Sequence, residues 1–237
     1  MEKMLNSLYE GAKNLDISIS DEMAEQFCKY TELLLEWNEK MNLTAITAPE
    51  EIAIKHYLDS LTLLKFVDIP QNARIIDVGT GAGFPSIPLM IARKDIHITM
   101  LDGTKKRLNF IDEVVNQLGL NGETLHARAE EAGKSAKYRE KFDFATARAV
   151  ARLNVLSEYC LPFVRVGGKF VAMKASVNDE VEEAQGAIKL LGGKMSEIKE
   201  FCLPDGSERR LVVIKKISQT PPKYPRASAQ IAKKALK

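Results

Sequence analysis

The chain has 237 residues, 45% of them hydrophobic and 28% charged, with a formal net charge of +2. That suits one large folded domain, or a domain with an extension, and excludes a disordered chain. No apolar run approaches the roughly 20 residues that cross a bilayer, and the start MEKMLNSLYEGAK carries acids and no small-residue cleavage signal, so a cytoplasmic location and no membrane partner are expected. Cys28, Cys160 and Cys202 and the histidines His56, His97 and His126 are scattered singly, which argues against a disulfide framework and against any metal site.

The first clear element is a helix over residues 20–41. Ser20 can cap it, Asp21 and Glu22 sit in its first turn, and Met23, Phe27, Tyr30, Leu34, Trp37 and Met41 recur at spacings of three and four. One apolar face follows, with Trp37 expected in the core. A second helical stretch, about 49–66, places Ile52, His56, Asp59, Ser60 and Leu63 near one side. His56 and Asp59 are expected to satisfy an interhelical hydrogen bond; contact with a bound base or support of Asn42 are the alternatives. Residues 1–70 thus read as an N-terminal helical extension, ending in the turn-rich stretch 68–72.

Over residues 71–218 short β-type runs alternate with helical patterns. Strands are expected at 74–78, 96–101, 123–127, 142–146 and 169–173, with helices starting near 85, 105, 153 and 178. Such alternation predicts a parallel sheet with helices on both faces. Two further strands, near 196–203 and 210–216, are joined only by Pro204, Asp205 and Gly206, too little chain for a crossover helix, so they should pair antiparallel at one edge. Residues 219–237 form a basic C-terminal tail. From Arg209 to Lys237 there are nine Lys or Arg and no acid, against 25 basic and 32 acidic residues in the rest of the chain. This charge suits phosphate contact or, equally, a solvated disordered tail.

The chemistry is carried by DVGTGAGFPS, Asp77 to Ser86, which stands between an apolar strand and an apolar helix. Gly79, Gly81 and Gly83 allow a sharp bend and close approach of backbone to a ligand. A dinucleotide turn is usually GxGxxG, whereas position 84 here is Phe. The compressed spacing after Asp77 resembles the first motif of the class I methyltransferases, which bind S-adenosylmethionine. Asp102, at the end of the next strand, can accept both ribose hydroxyls of an adenosine cofactor without choosing between cofactors. A nicotinamide-dependent oxidoreductase therefore stays open at this point, as does an RNA-binding or assembly factor without catalysis, motivated by the basic tail. Neither an Asn/Asp-Pro-Pro-aromatic motif after the fourth strand, where residues 146–150 read TARAV, nor an activated cysteine is present.

The blocks WNEKMNLT (37–44), HYLDS (56–60), DVGTGAGFP (77–85), RAE (128–130), RAVA (148–151) and YPR (224–226) resemble the bacterial ribosomal RNA small subunit methyltransferase G family, also called glucose-inhibited division protein B, over nearly the whole chain. The resemblance implies a Rossmann-like α/β fold with a seven-stranded, mostly parallel sheet carrying an antiparallel edge strand. It implies transfer of a methyl group from S-adenosylmethionine to N7 of one guanosine in the 530 region of 16S rRNA, on naked rRNA, an assembly intermediate or the whole small subunit. A monomer is expected. By the same resemblance Asp77, Gly79, Gly81, Gly83 and Phe84 line the cofactor, Asp102, Gly103 and Thr104 hold its ribose, Ala129 and Glu130 border the adenine, and Arg148 closes the site. Arg148 and Lys174 are the catalytic candidates; Arg148 cannot be a base, being always protonated. The family's tail continues after YPR with a Gly- and Pro-containing stretch, whereas ASAQIAKKALK here favours a helix.

Overall fold

The computed structural model describes residues 1–177 and 179–237. Two long helices open the chain. Helix α1 (Glu2–Asn14) buries Met4, Leu8 and Ala12, one residue per turn, and α2 (Asp21–Met41) buries Phe27, Tyr30 and Leu34. Ser20 caps α2 as its position predicts, its Oγ accepting from the Met23 N–H at 3.2 Å. At the other end Asn42 takes a left-handed backbone, φ 50°, which few residues other than Gly and Asn tolerate. The expected second helix is continuous but uneven: α3 (Pro49–Ile52) and α4 (Asp59–Phe66) flank a π-helical turn, Ala53–Leu58. Wider turns of this kind concentrate at functional sites, and this one carries Lys55 and His56, with Asp59 next to it.

Seven strands follow: β1 (Arg74–Val78), β2 (His97–Asp102), β3 (Gly122–His126), β4 (Phe142–Arg148), β5 (Val164–Lys174), β6 (Gly193–Cys202) and β7 (Glu208–Lys216), in the order β3-β2-β1-β4-β5-β7-β6. The strands from β1 to β5 pair in parallel, and β7 runs antiparallel to both β5 and β6. The antiparallel pair does close one edge of the sheet, but the reversed strand, β7, lies inside β6. Burial explains the order. Residues Leu211–Ile214 of β7 are apolar and buried on both faces, whereas β6 alternates exposed and half-buried residues as an outer strand should.

Helices α5 (Ser86–Ala92), α6 (Lys105–Leu118), α7 (Ala129–Ala132), α8 (Leu153–Cys160) and α9 (Glu180–Leu190) connect the strands. The expected start of α9, at 178, lies outside the described residues. Side chains alternate across the sheet, so adjacent residues enter different cores. Ile75 and Ile98 pack with Phe27, Tyr30 and Tyr57 of the N-terminal helices, while Ile76 and Val78 pack with Leu153, Leu156 and Ile188 on the other face. The N-terminal segment is therefore one wall of the sheet's own core. Trp37 lies half-buried at its margin, against Phe110 at 5.7 Å, and not inside it.

The basic end of the chain is neither a free arm nor a disordered tail. Thr220 N–H donates to Glu140 at 2.8 Å, and Arg139 donates to the carbonyls of Thr220 and Tyr224 at 2.6 and 2.8 Å. Lys216 is fully buried against Leu161 O and Thr220 Oγ1, and burial lowers its ammonium to about 8. Arg226 grips the fully buried Glu158 with both its N–H and its guanidinium, at 2.6–2.9 Å. Beyond it α10 (Ser228–Lys233) supplies the helix its composition favours. Much of the terminal positive charge thus serves folding. Replacing Arg226 with Ala leaves an uncompensated carboxylate in the core and should cost about 3–5 kcal/mol of unfolding free energy in urea titrations, with Lys at 226 recovering only part.

Candidate active site at the carboxyl ends of β1, β2 and β4

The glycine turn leaves β1 at the point where strand order reverses between β2 and β4, the place where open α/β sheets bind ligands. Gly79 has φ +76° and a Cβ there would stand 2.6 Å from Val150 Cγ2; Gly83 has φ +95°. Only glycine fits either position. The turn is pinned on three sides. Gly79 N–H donates to Leu101 O at 2.8 Å, Gly81 N–H to Asp102 Oδ2 at 3.1 Å, and Tyr30 Oη to the carbonyl of Ala82 at 2.5 Å. Asp102 also accepts from Thr104 N–H at 2.7 Å, so its carboxylate joins the turn to the start of α6 and keeps lone pairs for a further donor.

Two cavities open here. The smaller, about 120 Å³, is lined by Gly79, Gly103, Arg128, Ala129, Glu130, Val150, Tyr159 and Ser228, among others. The larger, about 360 Å³, is lined by residues that include Lys55, His56, Asp59, Arg148, Ala149, Lys174 and Arg209. Arg148 and Ala149 belong to one and Val150 to the other, so three consecutive residues after β4 form the partition. Ala149 holds a left-handed backbone, φ 56°, a strained conformation for a residue with a Cβ.

The expected site residues divide between these places. Gly79, Gly103, Ala129 and Glu130 line the smaller cavity, and Arg148 and Lys174 the larger. Asp77, Gly81, Gly83, Phe84, Asp102 and Thr104 line neither; they build the turn and its support. Phe84 is buried, stacked on His56 at 4.3 Å between centroids, with the Arg148 guanidinium 4.9 Å above its ring. Arg148 spends three donors on the N-terminal segment: Lys55 O at 3.1 Å, Asp59 Oδ2 at 3.0 Å and His56 Nδ1 at 3.2 Å. His56 Nδ1 stands 3.2 Å from both Arg148 and the carbonyl of Lys55, and Nε2 lies 2.9 Å from Thr44 Oγ1, so each ring nitrogen has a partner in either neutral tautomer. Burial and the neighbouring Arg148 hold His56 down at about 3, so the ring is neutral. Support of Asn42 by His56 is not what forms: Asn42 ends α2 in its left-handed turn, and the returning chain brings Thr44 to the ring instead. Lys174 Nζ binds Ala151 O at 2.7 Å and Glu180 Oε2 at 2.8 Å, an ion pair at the cavity wall.

Sequence reasoning passed over Lys55, Val150, Tyr159, Arg209 and Ser228. In the sequence Arg209 reads only as part of the basic terminal run. Its Nε stands 3.3 Å from Asp59 Oδ1, so Asp59 lies between two guanidiniums although burial raises its carboxyl. Four cations line the larger cavity, Lys174 paired with Glu180, Lys55 with Glu51, and Arg148 and Arg209 sharing Asp59.

The residues at the turn fit S-adenosylmethionine. Asp77 Oδ2 accepts from Ser86 Oγ at 2.6 Å, but Oδ1 has no partner among the described residues, nor do Thr80 Oγ1 and Thr146 Oγ1, and Thr146 sits opposite Asp77 in the register of β1 and β4. Buried polar atoms left unpaired are costly and are completed by water or ligand. Among the described residues no group of three metal-binding side chains occurs, and no helix is long and apolar enough to cross a membrane.

The sequence pattern described as "GidB: rRNA small subunit methyltransferase G" matches residues 23–212. The chain belongs to that family. It is 51% identical to the "Ribosomal RNA small subunit methyltransferase G" of Thermoanaerobacter sp. (strain X514) over 237 residues, 99% of each chain, and 50% identical to that of Clostridium novyi (strain NT) over 228 residues, 95% of this chain and 94% of the other. Among solved structures, TrmN from Thermus thermophilus superposes with a TM-score of 0.54 at 18% identity, covering 68% of this chain and 48% of its own, which supports the fold. The family makes the chain an S-adenosylmethionine-dependent methyltransferase of small-subunit rRNA, and the dinucleotide alternative falls.

Two consequences can be measured. Gly79→Ala puts a Cβ into Val150 at a left-handed position, so S-adenosylmethionine affinity measured by calorimetry should fall by about tenfold or more. Burial raises Asp77 to about 7, well above its unfolded value, so its contribution to stability is present at low pH and is lost as pH rises through about 7. Asp77→Asn, which cannot ionise, should lose that fall in stability, as read by urea titration between about pH 5 and pH 8.

Proposed function

We propose that the chain methylates N7 of one guanosine in the 530 region of 16S rRNA, with the donor in the smaller cavity and the target base in the larger. The observation that carries this reading is the shared partition Arg148–Val150: the two cavities meet across a single stretch of backbone, so a group held in one can face a group held in the other. When bound, S-adenosylmethionine supplies an electrophilic sulfonium methyl group.

The residues of the larger cavity suit an acceptor that needs no base. Guanine N7 carries an in-plane lone pair and no proton, so transfer depends on placement and on the surrounding charge. His56 is neutral with both ring nitrogens partnered, and Lys174 is committed to Glu180, so neither stands as a free proton acceptor. Arg148, three of its donors engaged, is kept from the bidentate grip on O6 and N7 that would occupy the reacting lone pair. Lys55 and Arg209 at the rim suit the phosphates flanking the base, and Asp59 provides the carboxylate that offsets the positive charge arising on the product purine. At the donor side, Gly79 and Gly103 give backbone contact, Asp102 with Thr104 the ribose contact, and Ala129 with Glu130 the adenine border, while Asp77, Gly81, Gly83 and Phe84 hold the turn. Both cavities are built within one chain, which supports action as a monomer, and the rRNA substrate supports a cytoplasmic location.

Mass mapping of 16S rRNA from a strain lacking the gene tests the target. Loss of the N7 mark in the 530 region, restored by the wild-type chain but not by Gly79→Asp, is the expected result; a retained mark sinks the assignment, and restoration by Gly79→Asp would point to a non-catalytic assembly factor. Purified fragments, partial particles and complete subunits, methylated side by side, identify the preferred substrate.

A further inference from the structure

We propose that the C-terminal segment 227–237 is part of the cofactor site: it forms the outer wall of the adenosine cavity and must move outward to admit and release the ligand. This rests on the assignment of the smaller cavity to S-adenosylmethionine.

Three observations converge. First, Ser228, the first residue of α10, lines the cavity together with Gly79, Gly103 and Ala129. Second, the segment is attached to the two helices that flank the cavity. Arg226 is locked to Glu158, next to the cavity residue Tyr159 on α8; Pro225 packs on Gly133, directly after α7, which carries Ala129 and Glu130. Third, the far end is docked and not free: Ile231 is 1% exposed, Asn154 Nδ2 donates to Leu236 O at 3.1 Å, and the Lys237 backbone covers Gly186 of α9.

The size of the cavity sets the consequence. At about 120 Å³ it is well below the 300 Å³ or so typical of sites that bury a small organic ligand. With segment 227–237 in this position the cavity takes in only part of such a ligand, so fuller burial needs a wall to yield. Val78, Gly79, Leu101 and Gly103 belong to β1, β2 and their first turns, which are hydrogen-bonded within the sheet, and α7 and α8 are buried against the second core. Segment 227–237 is held by one short helix, by Ile231 and Leu236, and by few hydrogen bonds, far less than holds the strands and α8, so it opens locally at lower cost than they do. Arg226 is the fixed hinge post. Once closed over the ligand, Ser228 can donate to or accept from the adenosine, and ligand exchange requires the segment to lift.

Calorimetry and stopped-flow dissociation of S-adenosylmethionine, without RNA, test this on three proteins: the intact chain, a chain ending at Ala227, and Ser228→Trp, which adds bulk at the cavity rim. The truncated chain should release the ligand about tenfold faster or more, and Ser228→Trp should bind about tenfold more weakly at unchanged thermal stability. Hydrogen exchange should show amides 229–236 of the intact chain slowed by the ligand. Affinity and release within about twofold of the intact chain in both variants, or no slowing of exchange, overturns the proposal. Failure of the intact chain itself to bind S-adenosylmethionine would instead overturn the cofactor assignment, and the role of the tail with it.

Discussion

A single hydrogen bond, from Tyr30 Oη to the carbonyl of Ala82, joins parts of the chain 52 residues apart and sets the terms for the rest of the structure. Glycine makes the turn after β1 possible but also leaves it loose, since it has the largest conformational freedom to lose on folding. Contacts from outside the turn must hold it. Tyr30 does so from below, Leu101 and Asp102 from the side, and Val150 from above. The helices before β1 are thus inseparable from ligand binding: removing them would strip one face of the sheet and free the turn together.

From that turn the charge is arranged in layers. Beneath it lie the buried carboxyl of Asp77, raised to about 7, and the hydroxyls of Thr80 and Thr146. Beside it Arg148 and Arg209 hold Asp59, with the paired Lys55 and Lys174 on the same cavity wall. Under the proposed assignment, a cationic donor and an anionic polymer would lie on opposite sides of one partition of short backbone.

The elements that repeat were legible in the sequence, because periodicity reports burial. The helix over 20–41, the βα alternation and the tight connection at Pro204–Gly206 all appeared where the pattern put them. Contacts between distant segments were not legible. Nothing local in HYLDS says that a π-helical turn will swing Lys55, His56 and Asp59 onto Arg148, and Arg209 looked like one more charge in a basic run until β7 placed it beside Asp59. Phe84 shows the opposite case. It is adjacent to the glycines in sequence, yet its ring turns into the core against His56, because an aromatic residue is stabilised more by burial there than by contact with a polar ligand. Ser228 lay in a stretch that departs from the family's pattern, so no resemblance could reach it.

The place of β7 has a consequence for the order in which the protein comes into being. Strand β7 is the last to be synthesised, yet it stands between β5 and β6 and brings Arg209 to the acceptor side. Until it emerges from the ribosome, β5 has an unpaired apolar edge and β6 has no neighbour in the sheet. The glycine turn and Asp102 are made long before β7, yet the larger cavity lacks Arg209 until β7 emerges and the smaller lacks Ser228 until still later. Translation thus completes the walls of both cavities only with β7 and the segment that follows it.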